Sequence, residues 1–293
     1  MMKSSARKRW ALLLVWVAAG GLVAGEKDQG ASSKLCVMTY NVRYASPAPP
    51  NEWARRRPLM HELIAQVGAD LIGTQEGLYR QLKDLAADAP EYEWIGVGRD
   101  DGKQQGEFMA VFYRKTRLQP QATNFFWLSD TPETPGSTTW GNKNRRMVTT
   151  VKFLDRQTKQ EFYVLDTHFD HQVQLAREKS AELVRRRVEA LKTSLPVLLL
   201  GDFNAVAGKN KAYDLLLGDG FFADTWKLAK ERRNEGLDTF NGFKAVRTNG
   251  ARIDWILARG KVSVDAEEIV TFSRDGQFPS DHCPVAAWLR LGE

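Results

Sequence analysis

Two short polar segments carry the strongest chemical signal in this 293-residue chain: Ser280-Asp281-His282 and Gly201-Asp202-Phe203-Asn204. Each adjoins a short apolar run, residues 196–200 before the second and 285–289 after the first. Runs of that length and composition read as buried strands. Carboxylates, an amide and an imidazole therefore fall where a sheet edge meets solvent. Side chains fixed at rigid strand ends converge on a substrate with little reorganisation, which suits a hydrolase site.

The pattern repeats along the chain. Asn41, Glu76, His168, Asp202 with Asn204, and Asp281 with His282 all follow or precede apolar runs. Singly, each has a bland reading: Asn41 and Asn204 as turn residues, Asp202 as a cap. Polar residues at the same end of many strands instead form a common rim. Hard oxygen donors such as Glu76, Asp202, Asn204 and Asp281 suit Mg²⁺, Mn²⁺ or Ca²⁺. With four histidines and two cysteines in all, a zinc cage is poorly supported. His61 lies in a predicted helix and reads as structural, and His171 reads as a local polar contact.

The elements that must position this rim can be read from periodicity. Strands are predicted over residues 34–40, 70–74, 92–97, 108–113, 147–154, 161–165, 195–200, 251–257, 268–272 and 283–289. Helices are predicted over 52–67, 78–87 and 175–191. Residues 128–144, rich in Pro, Gly, Ser and Thr, form a long loop of the functional kind. Trp127 and Trp140 beside and within it could stack on a base or sugar, or pack the loop. Mixed hairpin and helix-separated spacing predicts an α/β fold, two sheets packed face to face with helices outside. Cys36 and Cys283 fall in apolar strands and read as buried free thiols, offset along their strands beyond disulfide reach.

Six blocks occur in the order found in the endonuclease/exonuclease/phosphatase superfamily. They are Thr39-Tyr40-Asn41-Val42-Arg43, Ile72-Gly73-Thr74-Gln75-Glu76, Thr167-His168, Gly201-Asp202-Phe203-Asn204, Ile253-Asp254-Trp255-Ile256 and Ser280-Asp281-His282. The chain from residue 34 to 293 resembles that superfamily throughout. The resemblance implies a four-layered α/β sandwich with two mixed β-sheets. It implies Glu76 as the metal-binding glutamate with Asp281 as an acidic neighbour on the metal side. Asn41, Asn204 and Arg146 are then phosphate contacts, Arg145 being the alternative to Arg146 because alternation turns only one of them to the rim. Asp202 orients the nucleophile, Asp254 holds the catalytic His282, and Glu107 supports His168. Two carboxylate–imidazole pairs follow, Asp254 with His282 and Glu107 with His168, and each should raise its histidine's pKa. Arg43 stands where apurinic endonucleases carry an aspartate, as in the deoxyribonucleases.

The implied activity is a divalent-metal-dependent phosphoesterase, Mg²⁺ (or Mn²⁺ or Ca²⁺) being the cofactor, with activated water attacking phosphorus in line. A nuclease-like phosphodiesterase leads. The alternatives are a phosphomonoesterase on a small phosphorylated metabolite and a non-catalytic binding module. Ala251-Arg252-Ile253-Asp254 replaces the Trp-Cys-Asp-Arg block of the 5-phosphatases, which disfavours an inositide. The partner is a phosphate-ester substrate, nucleic acid among the candidates, and the chain reads as a monomer.

Charge and the N-terminus bound the setting. Lys3, Arg7, Lys8 and Arg9 precede the apolar residues 10–19 and the small residues 20–25, which read as a secretory signal. Secretion or a periplasmic location follows, with a flexible leader over 26–33 and no stable membrane association after cleavage, an uncleaved N-terminal anchor being the lesser alternative. The chain's formal charge is +6, and those four cations leave only +2 for the rest. An anionic substrate is permitted and a polyanion is not demanded. A hydrophobic content of 43% is ample for one domain core.

Overall fold

The computed structural model describes Met1 and residues 34–292, so the predicted signal and leader lie outside the described residues apart from Met1. In chain order the strands are β1 (Leu35–Asn41), β2 (Leu71–Leu78), β3 (Tyr92–Ile95), β4 (Glu107–Arg114), β5 (Leu118–Trp127), β6 (Met147–Asp155), β7 (Glu161–His168), β8 (Val197–Asp202), β9 (Ala223–Asp224), β10 (Glu231–Arg233), β11 (Asp254–Arg259), β12 (Val262–Ile269) and β13 (Val285–Leu291). The helices are α1 (Trp53–Val67), α2 (Tyr79–Asp88), α3 (Gln174–Ala190), α4 (Lys211–Leu217) and the single turn α5 (Thr225–Leu228).

One sheet has seven strands in the order β10-β12-β13-β1-β2-β4-β3, and the other six in the order β5-β6-β7-β8-β11-β9. Both are mixed: β1 runs parallel to β2 and β10 to β12 in the first, and β7 parallel to β8 in the second, the other pairings being antiparallel. Alternation along the strands builds the layers. In β1, Leu35 and Val37 enter the core between the sheets, while Cys36, Met38 and Tyr40 face α1 and α2. In β8, Leu198 and Leu200 enter the same central core, while Val197 and Leu199 face α3 and α4. Both faces are buried, so these strands read as unbroken apolar runs. The result is the four-layered sandwich that the resemblance implies.

Cys36 and Cys283 are free and buried. Cys36 lies opposite Trp288 in the β1–β13 ladder, and Thr39 opposite Val285, so the two thiols are staggered along the strands. They also belong to different cores, one on each face of the sheet.

Several boundaries move. Residue 76 does not end a strand: β2 continues to Leu78, and a bulge sets Gln75 and Glu76 opposite the single residue Met109. The strand expected at 268–272 is β12, eight residues ending at Ile269. β5, β9 and β10 have no counterpart in the sequence reading, nor do α4 and α5.

Candidate active site

The ends of β1, β7 and β8 and the starts of β4, β11 and β13 lie along one edge of the sandwich. Asn41, His168 and Asp202 close the first three strands; Glu107 and Asp254 open β4 and β11, and His282 shortly precedes β13. Register brings them together. Asp254 pairs directly with Asp202, and Asp202 with His168, in adjacent strands. Glu76 reaches the same edge through the bulge. Its φ of 66° is a conformation a glutamate adopts only where the surroundings hold it, and bulges re-aim side chains in this way. Arg43 and Asn204, also on this rim, share positive φ.

Asn41 is the hub. Its Nδ2 donates to Glu76 Oε1 and Asp202 Oδ2, each at 3.0 Å, while its Oδ1 accepts the Arg43 amide at 2.9 Å. The Tyr44 amide donates to Glu76 Oε2 at 3.3 Å. Arg43 Nη1 sits 3.5 Å from Glu76 Oε2 and 3.6 Å from Asp281 Oδ2, bridging two carboxylates. Burial raises the Glu76 carboxyl, but the Asn41 hydrogen bond and the Arg43 charge outweigh it and hold its pKa below the ordinary value. Burial keeps Asp281 above its ordinary value.

His282 Nδ1 lies 3.0 and 3.2 Å from the two oxygens of Asp254, and its Nε2 faces Asp202 Oδ2 at 3.7 Å. Burial alone would lower this imidazole's pKa. The carboxylates of Asp254 and Asp202 overcome that and raise it to about 10, so His282 is a cation at neutral pH. Asp202 is pushed up to about 7 by burial and by the Asp254 charge opposite it. Supporting contacts fix the group: Thr239 Oγ1 accepts the Asp254 amide at 3.2 Å, and Ser280 Oγ donates to the Asn41 carbonyl at 2.6 Å.

His168 departs from expectation. Its Nε2 lies 3.0 Å from Asn204 Nδ2 and 3.4 Å from Asp202 Oδ2, and its Nδ1 has no hydrogen-bond partner among the described residues. Glu107 does not hold it. That carboxylate is taken by Arg99 at 2.5 Å, Arg99 being drawn alongside by the turn between β3 and β4. Burial, with the charges of Arg146 and Arg99, pushes the His168 pKa well below its ordinary value instead of raising it. The ring is neutral where a cation was expected. Glu107 itself is raised to about 7, chiefly by burial.

Alternation resolves the arginine pair. Arg146 is buried on the rim, with Nη2 3.2 Å from His171 Nδ1 and Nε 3.7 Å from Asp170. Arg145 points outward to Asp100. Trp127 and Trp140 are buried, their indole N–H groups donating to the Arg99 carbonyl and to Asp130, so they pack the loop and offer no stacking face.

These residues line one cavity of about 410 Å³, in which Glu76, Glu107, Arg146, His168, Asp202, Asn204, Asp281 and His282 meet. Arg43, Arg99, Tyr44, Phe240, Asn144 and His171 also line it. None of those six was singled out from sequence, except Arg43 as a departure and His171 as a bland contact. Only Arg99 left a signal, a charged residue at the mouth of a glycine-bounded turn.

Among the described residues, two sets of groups could hold a cation. Oxygen or nitrogen atoms of Asp202, Asp254 and His282 lie within 4.8 Å of one another, but Asp254 and His282 already satisfy each other. Glu76 and Asp281 instead share only a guanidinium between them, and their hard oxygen donors fit a divalent cation better.

Comparison with known proteins agrees with this geometry. The Endonuclease/Exonuclease/phosphatase family model matches residues 38–282. A Bacteroides vulgatus endonuclease/exonuclease/phosphatase structure is 35% identical, with 88% of this chain and 99% of that one covered and a TM-score of 0.82. A Bacteroides thetaiotaomicron mannosyl-6-phosphatase is 34% identical, with 87% and 99% covered and a TM-score of 0.81. TDP2 of D. rerio in complex with a single-strand DNA product shares the fold at 17% identity and a TM-score of 0.69, with 88% of this chain and 99% of that one covered. An uncharacterized protein of Acanthamoeba polyphaga mimivirus is 24% identical over 240 residues, 80% of this chain and 84% of its own. By the family match and by its rim of Asn41, Glu76, Asp202, Asp254 and His282, the chain belongs to the endonuclease/exonuclease/phosphatase family.

Proposed function

We propose that this protein is a divalent-metal-dependent phosphomonoesterase acting on a small phosphorylated sugar. The nuclease-like reading that leads from sequence gives way to its alternative. The observation that carries the change is the cavity itself. Its 410 Å³ suits a small ligand, and the two tryptophans that could have stacked on a base are locked into the loop packing beside it. A modest net charge outside the N-terminal segment supports the same reading. So does similarity to a mannosyl-6-phosphatase at 34% identity over nearly its full length.

In this reading Glu76 and Asp281 would hold Mg²⁺ or a similar ion, which would supply positive charge to the phosphoryl group. Asn41, Asn204 and Arg146 orient the phosphoryl group. Water attacks phosphorus and the phosphorus–ester oxygen bond breaks. Asp202, whose raised pKa makes it a competent base near neutrality, takes the water proton, and the departing oxygen takes one from solvent. His282, held as the cation by Asp254, donates to a phosphoryl oxygen and does not act as the base. Neutral His168 contributes a hydrogen bond beside Asn204. Export through the N-terminal basic and apolar segment belongs to the same proposal, as does a monomeric state. Among the described residues no helix is long and apolar enough to cross a membrane.

The deciding measurement compares p-nitrophenyl phosphate, bis-(p-nitrophenyl) phosphate and mannose 6-phosphate with Mg²⁺ and then with EDTA. Monoester turnover abolished by EDTA is expected. Faster cleavage of the diester would restore the nuclease-like reading, and turnover unaffected by EDTA would remove the metal. No turnover of any substrate would favour the binding module.

A further inference from the structure

The wall of the cavity facing the catalytic carboxylates is built with more care than phosphate binding requires. Its centre is the Arg99–Glu107 pair, both side chains mostly buried. The turn between β3 and β4 forces the two residues side by side. The Arg99 amide donates to the Glu107 carbonyl at 3.0 Å, and an isolated bridge joins Gly98 to Phe108. The turn is closed too tightly for side chains: a Cβ on Gly98 would come within 2.2 Å of the Gln105 carbonyl oxygen. A second loop locks it from outside. Trp127 Nε1 donates to the Arg99 carbonyl at 2.6 Å, and a Cβ on Gly136 would meet the Asp100 oxygen at 2.4 Å. Arg99 and Glu107 are therefore fixed at the cavity, which Asn144 and His171 also line.

This rigid pair is incompletely satisfied. Among the described residues, Nε and Nη1 of Arg99 are buried without a well-formed hydrogen bond, Nη1 even though it lies against Glu107 Oε2, as are Nε and Nη1 of the neighbouring Arg146. Buried guanidinium nitrogens are nearly always paired, and leaving them unpaired is costly. A carboxylate that only accepts, next to a guanidinium that only donates, matches two neighbouring hydroxyl groups, each of which can do both. Glu107 does not reach His168, so its carboxylate is not engaged in holding an imidazole.

We infer that Arg99 and Glu107 form a subsite that reads vicinal hydroxyl groups on the sugar part of the substrate. The inference rests on the sugar-phosphate reading above and assigns these residues a role apart from the phosphate contacts. Arg99 accordingly acts on selectivity: its side chain distinguishes a polyol ester from an aryl ester.

The test uses the full-length protein with Mg²⁺ and the ratio of kcat/KM for mannose 6-phosphate to that for p-nitrophenyl phosphate, which has no hydroxyl group. Arg99→Met should lower that ratio by roughly ten- to a hundredfold, the size of one or two lost charge-assisted hydrogen bonds. The loss should appear mainly in KM for the sugar ester. Arg99→Lys keeps a cation against Glu107 and guards against misfolding. It should fall between wild type and Arg99→Met, with an unfolding midpoint near wild type. Equal losses on both substrates would place Arg99 on the phosphoryl group and overturn the subsite while leaving the monoesterase standing. An unchanged ratio in both variants would overturn it as well. Failure of the parent reading is visible separately, in wild type: no preference for mannose 6-phosphate, or for other hexose and pentose phosphates, over p-nitrophenyl phosphate removes the sugar class and the subsite with it.

Discussion

Two buried acidic clusters in this molecule look alike on paper and differ in what they can do. At the rim, Asp202 and Asp254 flank His282. Deeper, behind the six-stranded sheet's last strands, Asp224 is joined to Arg252 at 2.7 Å and to the Tyr213 hydroxyl at 2.8 Å, with Glu267 nearby. Both clusters are buried, and both contain a carboxyl pushed far up, Asp202 to about 7 and Glu267 to about 8, burial being the first cause in each. The difference is access. His282 and Asp202 open on the cavity, whereas the second cluster is sealed, Arg252 lying over the Trp226 ring at 5.0 Å. Perturbed titration alone therefore does not mark an active site; convergence on a cavity does.

The largest expected effect would separate the clusters most sharply. His282→Ala should lower kcat by a thousandfold or more, about 4 kcal/mol of barrier, since a positioned cation at the reacting phosphate is lost. Asp254→Asn should behave similarly because the ring loses its orienting acceptor. The double variant should be little worse than either, as for residues acting as a unit. Additive losses would show that Asp254 and His282 work independently. Glu76→Gln should cost as much at ordinary Mg²⁺ concentrations, with partial recovery at high Mg²⁺.

In the sealed cluster the comparable lesion should appear in stability. Arg252→Met leaves Asp224 without its cation, and breaking a buried pair in this way costs about 3 kcal/mol or more. Chemical denaturation should show that loss, with kcat per folded molecule near wild type. A large kcat loss with normal stability would mean the two clusters are coupled.

Glu267 gives the smaller, pH-dependent version. Its ordinary pKa is 4.5 and its folded value about 8, so between those values the folded chain holds a proton that the unfolded chain has released. Stability must then fall as pH rises through that window, by at most about 1.4 kcal/mol per unit. Glu267→Gln should remove this slope and be more stable than wild type by a few kcal/mol at pH 8–9, with little difference near pH 4. Parallel stability curves for the two proteins would show that Glu267 ionises freely.

How much of this was readable in the sequence follows from which forces were local. Asn41, Asp202 and His282 stand beside apolar runs, so period and burial alone put them at strand ends, whereas Asp254 falls inside the expected strand 251–257 and owes its place to the resemblance alone. The partner of Glu107 was not readable, because it depends on how a nine-residue turn folds back to set Arg99 against it. β5 was missed for a different reason: it is an edge strand, largely exposed from Gln119 to Asn124 and interrupted at Pro120, so it lacks both the apolar run and clean alternation. A bulge between Val264 and Ala266 similarly breaks the alternation of β12 and shifted its apparent position. The bulge that aims Glu76 leaves no trace in residue type except Gly77, where a Cβ would come within 2.5 Å of Leu82.

The smallest effect concerns the loop rather than either cluster, and it separates architecture from substrate contact. Trp140 is 6% exposed, and its Nε1 donates to Asp130 Oδ1 at 2.7 Å, a bond that holds the Asp130 pKa below its ordinary value. Trp140→Phe removes the donor and some ring area but leaves Asp130 free to be hydrated, since that side chain is 61% exposed. The cost should therefore be small, a slight fall in the denaturation midpoint, because hydration of Asp130 replaces most of the lost bond. If the indole only packs the loop, kcat/KM should stay within about twofold of wild type on aryl and sugar phosphates alike. A tenfold loss confined to the sugar ester, at normal stability, would mean the ring reaches the substrate after all. The selectivity assigned to Arg99 and Glu107 would then have to be shared with an aromatic face.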